Sequence, residues 1–302
     1  MSGRALWQLR VGDARRWARG RVERGPEELL PPDSTLEGWL AGPADAMLSA
    51  LSGPAEGPVP LEATIRAPVG GQEVWAAGVT YSRSRQARRE ESTTPDPYDR
   101  VYEAERPELF LKAPPGRVRG PGEAVGIRGD SSWDVPEPEL GLVANAQGEI
   151  VAYVIGNDLS SRSLEGENPL YLPQAKIYLG SCALGPCLVP AGESPEPREM
   201  EISERIVRNG ADAFSGRVMV AQMRRTPTEL VSWLFGALDF PIGVILLTGT
   251  GIVPGPEFTL AAGDEVAISI TGLGELRNTV EIVGGAGGTT NGPARSAVPG
   301  TG

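Results

Sequence analysis

Three acidic residues stand at spacings that suit the binding of a metal ion. Glu137 and Glu139 lie two residues apart, and Asp158 follows the next apolar run, Ile150 to Ile155. On a strand, the period of two points both glutamates to one face, where their like charges repel unless a cation lies between them. Glu-x-Glu also occurs on solvated strand edges, so the spacing alone leaves both a metal site and an acidic surface open.

The residue types that the chain lacks restrict its chemistry. None of its 302 residues is histidine, which excludes Ser-His-Asp and Cys-His catalysis and every His-ligated metal site. The two cysteines, Cys182 and Cys187, are too few for a zinc quartet and are expected to be buried near strand ends. Any metal must therefore have oxygen ligands, which favour Mg²⁺, Mn²⁺ or Ca²⁺.

Lysine is nearly absent, since Lys112 and Lys176 are the only lysines among 28 basic residues. In a sequence that otherwise uses arginine, a retained lysine indicates a position that needs a compact ammonium able to approach an enolate closely. Both lysines are therefore candidates for a role in the site, with chance retention as the alternative.

Composition predicts a strand-rich α+β protein that does not bind nucleic acid. Forty glycines and 28 prolines favour many turns, and the formal net charge of -11 argues against nucleic acid as a partner. No apolar run is long enough to span a membrane, and the first residues lack the apolar core of a signal peptide. We therefore expect a cytoplasmic protein.

The chain is predicted to contain a small N-terminal α/β region over 1–70, a catalytic domain over 71–283 and a disordered tail over 284–302. Helices are expected over 34–51, 81–91 and 224–238, the last with Thr226, Pro227 and Glu229 as its capping residues. Strands are expected over 7–11, 74–78, 109–112, 136–143, 150–155, 177–189, 244–247, 266–270 and 277–282. The strand ending at residue 143 and the strand starting at residue 150 would bring the three carboxylates together if they pair.

Several segments resemble the fumarylacetoacetate hydrolase family, in family order, between about residues 70 and 283. These segments are Ala77–Tyr81, Pro107–Lys112, Val135–Gly141, Gly156–Arg162, Lys176–Gly185, Leu247–Thr250, and Leu260–Asp264 followed by Gly272–Asn278. The resemblance implies the mixed β-roll of the fumarylacetoacetase C-terminal domain, and a homodimer or larger homo-oligomer.

The resemblance also implies roles for single residues. Glu137, Glu139 and Asp158 match the family's metal ligands, with Mg²⁺ as the expected ion, and Lys176 matches its active-site lysine. The remaining predicted substrate contacts are Tyr81, Arg83, Arg85, Lys112, Arg162 and Thr250. The substrate would be a small anionic 2-oxo acid.

The segment from Ser84 to Glu91, which the resemblance implies is a lid over the site, departs from the pattern of the family's hydrolases. Ser84 and Ala87 stand where those enzymes carry a histidine and a glutamate that activate water. The segment, like the run Glu165–Lys176, instead resembles that of the family's 2-keto-3-deoxy sugar-acid dehydratases. One further departure is Leu179, where relatives often carry an acidic residue.

The resemblance thus favours a dehydratase or hydratase, in which a metal and Lys176 hold an enolate while the C4 hydroxyl leaves. Glu90 or Glu91 is expected to serve as the general acid or base once the lid closes. The alternatives are an acylpyruvate-type C–C bond hydrolase, an oxaloacetate-type decarboxylase or a non-catalytic member of the family.

Overall fold

The computed structural model describes residues 3–91 and 96–284, without the side chains of residues 87–91 and 96–99. The predicted tail lies outside the described residues from residue 285 onward. Among the residues that are described, no helix is long and apolar enough to cross a membrane.

Five strands and two short helices form the N-terminal part. Strands β1 to β5 are Arg4–Val11, Ala14–Arg21, Gly25–Leu29, Gly57–Pro58 and Thr64–Ile65, and the helices are α1 (Leu36–Ala41) and α2 (Ala46–Ala50). The prediction of one helix over 34–51 is wrong, because Gly42 and Pro43 interrupt it and proline cannot donate the hydrogen bond that a continuing helix needs. Thr35 caps α1, since its side chain accepts from the N–H of Gly38 at 3.1 Å.

The rest of the described chain is dominated by strands. Strands β6 to β19 are Val74–Gly78, Glu108–Ala113, Val118–Arg119, Val125–Arg128, Asp134–Val135, Pro138–Ala144, Ile150–Asp158, Ser160–Ser161, Cys182–Pro190, Glu201–Arg208, Ala211–Met219, Val244–Leu247, Glu265–Ile270 and Gly274–Val283. Helices α3 to α7 are Ser82–Glu91, Asp96–Glu103, Arg162–Glu167, Leu172–Lys176 and Pro227–Phe235. Short 3₁₀ turns occupy Pro115–Arg117, Pro169–Tyr171, Ala191–Glu193, Pro197–Glu199 and Val220–Gln222.

Two large sheets are built from these strands. Within the described residues, one has the order β4-β3-β2-β1-β14-β12-β11-β17-β6-β7, with β5 paired to β1 and β8 to β14. The other has the order β16-β15-β18-β19-β9. Both are mixed, because the pairs β8–β14, β6–β17 and β9–β19 are parallel while the other pairs are antiparallel. The predicted strand-rich α+β class with mixed sheets is confirmed.

Apolar side chains from both sheets form one core. Leu140 and Ile155 on the large sheet belong to the same buried cluster as Ile202 and Ile268 on the five-stranded sheet. The opposite face of β11 and β12 carries a second buried cluster that includes Val143 and Val154. Strands β11 and β12 are therefore covered on both faces, which explains their continuous burial.

Most of the predicted elements are present, with one further correction. The strand expected over 177–189 starts only at Cys182, because α6 ends at Lys176 and a turn with Gly180 at φ +75° follows it. Helix α7 has the predicted capping box, in which Thr226 and Glu229 each accept from the other's backbone N–H. Leu6 of β1 pairs with Leu188 of β14, so the N-terminal strands continue the large sheet. The division into domains stays a prediction.

Candidate metal centre and active site

Three carboxylates, which we call the acidic triad, converge in the interior of the large sheet. The triad consists of Glu137, Glu139 and Asp158, and one oxygen from each lies within 4.8 Å of the other two. All three residues are at most 3% exposed. The solvated acidic edge that the bare spacing allowed is therefore wrong, and the cluster could hold a metal ion through oxygen ligands.

The pairing of β11 with β12 positions the triad. Pro138 stands opposite Asn157, and Glu139 stands opposite Gly156, so Asp158 comes next to Glu137 where the ladder ends. The N–H of Asp158 donates to the carbonyl of Glu137 at 2.9 Å. Since Pro138 is the first residue of β11, its missing N–H costs the sheet no hydrogen bond within the strand.

Cations and one backbone N–H surround the triad. Lys176 Nζ lies 2.9 Å from Glu137 Oε2 and 3.1 Å from Asp158 Oδ2, and it lies 2.5 Å from Ser160 Oγ. Further contacts are Arg162 Nη2 to Glu137 Oε1 at 2.9 Å, Lys112 Nζ to Asp158 Oδ1 at 2.5 Å, and Gly249 N to Glu139 Oε2 at 2.6 Å. The two lysines of the chain thus bracket one carboxylate, that of Asp158.

Burial and crowding disfavour the charged form of one member of the triad. Loss of solvent, followed by the charges of Asp158 and Glu137, raises the pKa of Glu139 well above its usual range. Lys176 and the N–H of Gly249 act in the opposite direction. A divalent cation would relieve the same repulsion, so the electrostatics of the triad suit a metal site.

A small cavity opens onto the triad. Its lining residues are Ala77, Gly78, Val79, Ser84, Glu108, Phe110, Glu137, Asp158, Glu165, Lys176, Gly249 and Thr250. Glu108 and Glu165 are acidic residues of this lining that the sequence analysis missed. The sequence carried a signal for Glu108, because strand periodicity puts it on the same face as Phe110 and Lys112.

Three of the predicted substrate-binding residues lie next to the triad without sharing one role. Thr250 lines the cavity, and its hydroxyl also bonds the N–H and carbonyl of Ile252, which fixes the loop. Tyr81 is buried, and burial together with the charge of Glu139 raises the pKa of its phenol. Arg162 is 2% exposed and pairs with Glu137.

Lys112 is not at the surface of the cavity. It is fully buried behind Asp158, and its ammonium also donates to the carbonyls of Leu159 at 2.9 Å and Lys176 at 2.6 Å. Two hydrogen bonds and the ion pair with Asp158 thus surround the ammonium with three oxygens. This position does not support the substrate contact that the sequence predicted for Lys112.

The lid residues take separate positions on α3. Arg83 is exposed, whereas Arg85 pairs with Glu103 at 2.8 Å and lies 4.9 Å from the ring of Tyr102, joining α3 to α4. Arg85 therefore has a structural partner, and its predicted substrate contact stays a prediction. The side chains of Glu90 and Glu91 lie outside the described residues, so their predicted acid or base role stays a prediction.

Ser84, which stands where the family's hydrolases carry a histidine, caps the start of α3. Its hydroxyl donates to the carbonyl of Tyr81 at 2.8 Å and accepts from the N–H of Tyr81 at 3.2 Å. Leu179, the other departure from the family pattern, is 52% exposed on the turn after α6. It does not line the cavity.

The sequence pattern named Fumarylacetoacetate (FAA) hydrolase C-terminal matches residues 73–281. The chain belongs to the fumarylacetoacetate hydrolase family. The predicted resemblance and the predicted family fold, with its small N-terminal region, are confirmed. The matched residues include the acidic triad, both lysines and the cavity lining.

Two relatives share about three quarters of their length with this chain. The protein named probable 2-keto-3-deoxyxylonate dehydratase, from Haloferax volcanii, is 52% identical over 216 residues, which cover 72% of this chain and 74% of the relative. The 2-dehydro-3-deoxy-D-arabinonate dehydratase of Saccharolobus solfataricus is 43% identical over 221 residues, with the same two coverages.

One solved structure is similar to this chain nearly from end to end. It is described as 2-keto-3-deoxy-D-arabinonate dehydratase complexed with magnesium and 2,5-dioxopentanoate. The likeness has a TM-score of 0.79 at 34% identity and covers 92% of this chain and 99% of the other. Because the coverage is nearly complete, the N-terminal region belongs to the shared fold.

We expect Mg²⁺ to stabilise the wild-type protein and to have no such effect on Glu139→Gln. At a Mg²⁺ concentration about 100 times the dissociation constant, the free energy of unfolding should rise by about 2.7 kcal/mol. Without Mg²⁺, Glu139→Gln should be at least as stable as the wild type, because it removes a buried like charge. Thermal unfolding with and without Mg²⁺ measures both effects.

The matched control is Glu193→Gln, which changes a carboxylate that pairs with Arg4 away from the triad. It should keep the full response to Mg²⁺. An equal response in Glu139→Gln and the wild type would contradict the assignment of Glu139 as a ligand.

Proposed function

We propose that this protein is a Mg²⁺-dependent dehydratase of 2-keto-3-deoxy sugar acids. The observation that carries the proposal is the buried acidic triad around Lys176, in a chain that is similar over most of its length to dehydratases of such acids. The magnesium in the similar solved structure supports the choice of ion. Mn²⁺ and Ca²⁺ have the same ligand preferences and are the alternative ions.

The triad fits a hard divalent cation. Its donors are all carboxylate oxygens, and they are buried close enough for one ion to contact all three. When bound there, Mg²⁺ would polarise the 2-oxo group of the substrate and so acidify the C–H bond at C3. The chain's own residues would supply the charge stabilisation and the proton transfer that complete the reaction.

Lys176 is suited to stabilise negative charge that develops on the 2-oxo oxygen. Its ammonium lines the cavity and is fixed by Glu137, Asp158 and Ser160. Such a preorganised positive charge in a buried site needs little reorganisation as negative charge develops. Lysine offers a compact ammonium here, whereas arginine would bring a larger planar group.

Dehydration needs a group that takes the proton from C3 and gives one to the departing C4 hydroxyl. The reaction releases one water without net uptake of protons, so a single carboxylate could carry out both transfers. Glu108 and Glu165 line the cavity from different elements, β7 and α5, and are the candidates for this role. We propose Glu90 and Glu91 as further candidates, since both belong to α3.

The lid residues support dehydration over hydrolysis. Ser84 is engaged with the backbone of Tyr81, and Ala87 carries no group that could activate water. Histidine is absent from the sequence, so the family's usual water-activating pair has no replacement of the same kind. A C–C bond hydrolase or a decarboxylase remains the alternative function, because each would use the same triad.

Three further expectations belong to this proposal. The substrate would be a small anionic 2-oxo acid, and exposed Arg83 on α3 could attract its charge. We propose Tyr81, Arg162 and Thr250 as residues that contact or orient this substrate. We also propose a cytoplasmic location and a homodimer or larger homo-oligomer.

Product analysis tests the reaction class. We expect the purified protein with Mg²⁺ to convert 2-keto-3-deoxyxylonate or 2-keto-3-deoxyarabinonate into a product lighter by one water, detected by mass spectrometry. Acylpyruvates and oxaloacetate are the comparison substrates, and Glu139→Gln is the inactive control. A cleaved pair of acids, or release of CO₂, would contradict dehydration and support the alternative function.

Lys176→Arg should be nearly inactive although it keeps the positive charge. We expect kcat to fall by at least about 100-fold, which is within the range for loss of one preorganised donor. Arg225→Lys, which exchanges the same two residue types at a buried cation outside the cavity lining, should stay within a few-fold of the wild type. An active Lys176→Arg variant would contradict the need for an ammonium.

Glu108→Gln and Glu165→Gln separate the candidate proton carriers. The variant that removes the carrier should lose kcat by about 100-fold or more while its stabilisation by Mg²⁺ is unchanged. Steady-state kinetics and thermal unfolding with Mg²⁺ measure the two properties. Full activity in both variants would exclude Glu108 and Glu165 and leave Glu90 and Glu91 as the candidates.

A further inference from the structure

Gly78 and Glu108 stand opposite each other on two neighbouring strands that border the cavity. Gly78 is the last residue of β6, Glu108 is the first residue of β7, and the two are paired directly in the antiparallel ladder. Both residues line the cavity that opens onto the acidic triad. Because side chains of directly opposite residues touch, the place that one side chain takes depends on what the other position carries.

The side chain of Glu108 lies across the face of Gly78. A Cβ atom built on Gly78 would lie 2.0 Å from Oε2 of Glu108, 2.6 Å from its Cδ and 3.2 Å from its Cγ. Among the described residues outside its own chain neighbours, these are the three atoms nearest to that Cβ. The space that a side chain at position 78 would need is therefore taken by the carboxyl group of Glu108.

The backbone of Gly78 does not itself require glycine. Gly78 lies in a strand and is not one of the described glycines with a positive φ, whereas Gly249, which lines the same cavity, has φ +88°. Alanine could adopt the backbone conformation of Gly78 without strain. Glycine in a strand often marks the close approach of another group, and here that group is the carboxyl group of Glu108.

We infer that Gly78 is a positioning residue for Glu108, and that its missing side chain lets the carboxylate of Glu108 reach the reacting atoms of the substrate. The inference rests on the proposed function, in which Glu108 is a candidate proton carrier between C3 and the C4 hydroxyl. A general acid or base must come within hydrogen-bond reach of the proton that it transfers. The place of this carboxylate therefore limits the rate of proton transfer.

A methyl group at position 78 would move the carboxylate by more than about 1 Å. Ordinary van der Waals contact begins at about 3.5 Å, whereas the built Cβ lies 2.0 Å from Oε2 of Glu108. The closest atoms are the far end of a flexible side chain, so Glu108 can turn away while β6 keeps its place. A misplacement of about 1 Å can slow a catalysed reaction by about 100-fold.

Gly78→Ala should lower kcat by about 100-fold while its stabilisation by Mg²⁺ stays at the wild-type value, because the acidic triad is unchanged. The double variant Gly78→Ala/Glu108→Gln should stay within about threefold of Glu108→Gln, since a carboxylate that is already absent cannot be misplaced. Steady-state kinetics of the wild type and these three variants measure this coupling. Wild-type activity in Gly78→Ala, or losses that multiply to about 10,000-fold in the double variant, would overturn the inference.

Gly70→Ala is the matched control. A Cβ atom built on Gly70 would lie 2.2 Å from Oε1 of Glu37 and 2.7 Å from its Cδ, so this substitution displaces a carboxyl group in the same way. Neither Gly70 nor Glu37 lines the cavity. The control should keep kcat within a few-fold of the wild type. A loss equal to that of Gly78→Ala would show that any such displacement lowers kcat, and would overturn the inference.

A crystal structure of the wild type keeps the inference testable if Gly78→Ala fails to fold. With Mg²⁺ and 2,5-dioxopentanoate, the compound in the similar solved structure, the carboxyl group of Glu108 should lie over Gly78 and contact the compound. A carboxyl group turned away from Gly78 would overturn the inference. Full activity of Glu108→Gln would also overturn it, while dehydration through another carrier would stand. Absence of a water-loss product from the wild type would overturn the proposed function and the inference with it.

Discussion

Burying three carboxylates within 4.8 Å of one another is the constraint that the surrounding structure must meet. Each member of the acidic triad is nearly inaccessible to water, so its charge must be compensated by protein groups or by a bound cation. Lys112, Lys176 and Arg162 contact the triad directly, and the N–H of Gly249 adds a fourth donor. Breaking one of these contacts would leave an uncompensated buried charge, which is far more costly than losing a surface ion pair.

The fold provides the rigidity that this compensation requires. Strands β11 and β12 lie in the middle of the large sheet with apolar clusters on both faces, and they carry Glu139, Asp158 and, directly before β11, Glu137. Lys112 comes from β7 at one end of the sheet order, and Lys176 comes from the end of α6. Groups that are far apart in sequence are therefore held by separate packed elements. Such support fixes both the carboxylate oxygens and the ammonium groups before a ligand arrives.

The sequence was sufficient for those parts of the site that depend on local periodicity. Strand alternation placed Glu137 and Glu139 on one face, and the prediction that Asp158 joins them depended on a pairing of the two strands, which the structure contains. The capping box at Thr226 depends on four consecutive residues and was likewise predictable. Single-chain composition also marked both lysines, although it could not give them separate roles.

What sequence reasoning missed depends on tertiary contacts. The carbonyls of Leu159 and Lys176 hold Lys112 behind Asp158, away from a substrate. These carbonyls approach Lys112 only in the folded chain, so the sequence could not show this position. The partner of Arg85 is Glu103 on the neighbouring helix, a contact between two helices that periodicity does not specify. Glu108 and Glu165 reach the same cavity from different elements, so no single segment indicated that they share a site.

The most direct test of this account locates the cation itself. Anomalous diffraction from crystals of the wild-type protein soaked with Mn²⁺, a substitute for Mg²⁺ with the same preference for oxygen ligands, would show each bound ion as a peak. The account predicts one strong peak per chain, in contact with one oxygen from each of Glu137, Glu139 and Asp158. The absence of a peak at the acidic triad, or a dominant peak at other residues, would contradict it.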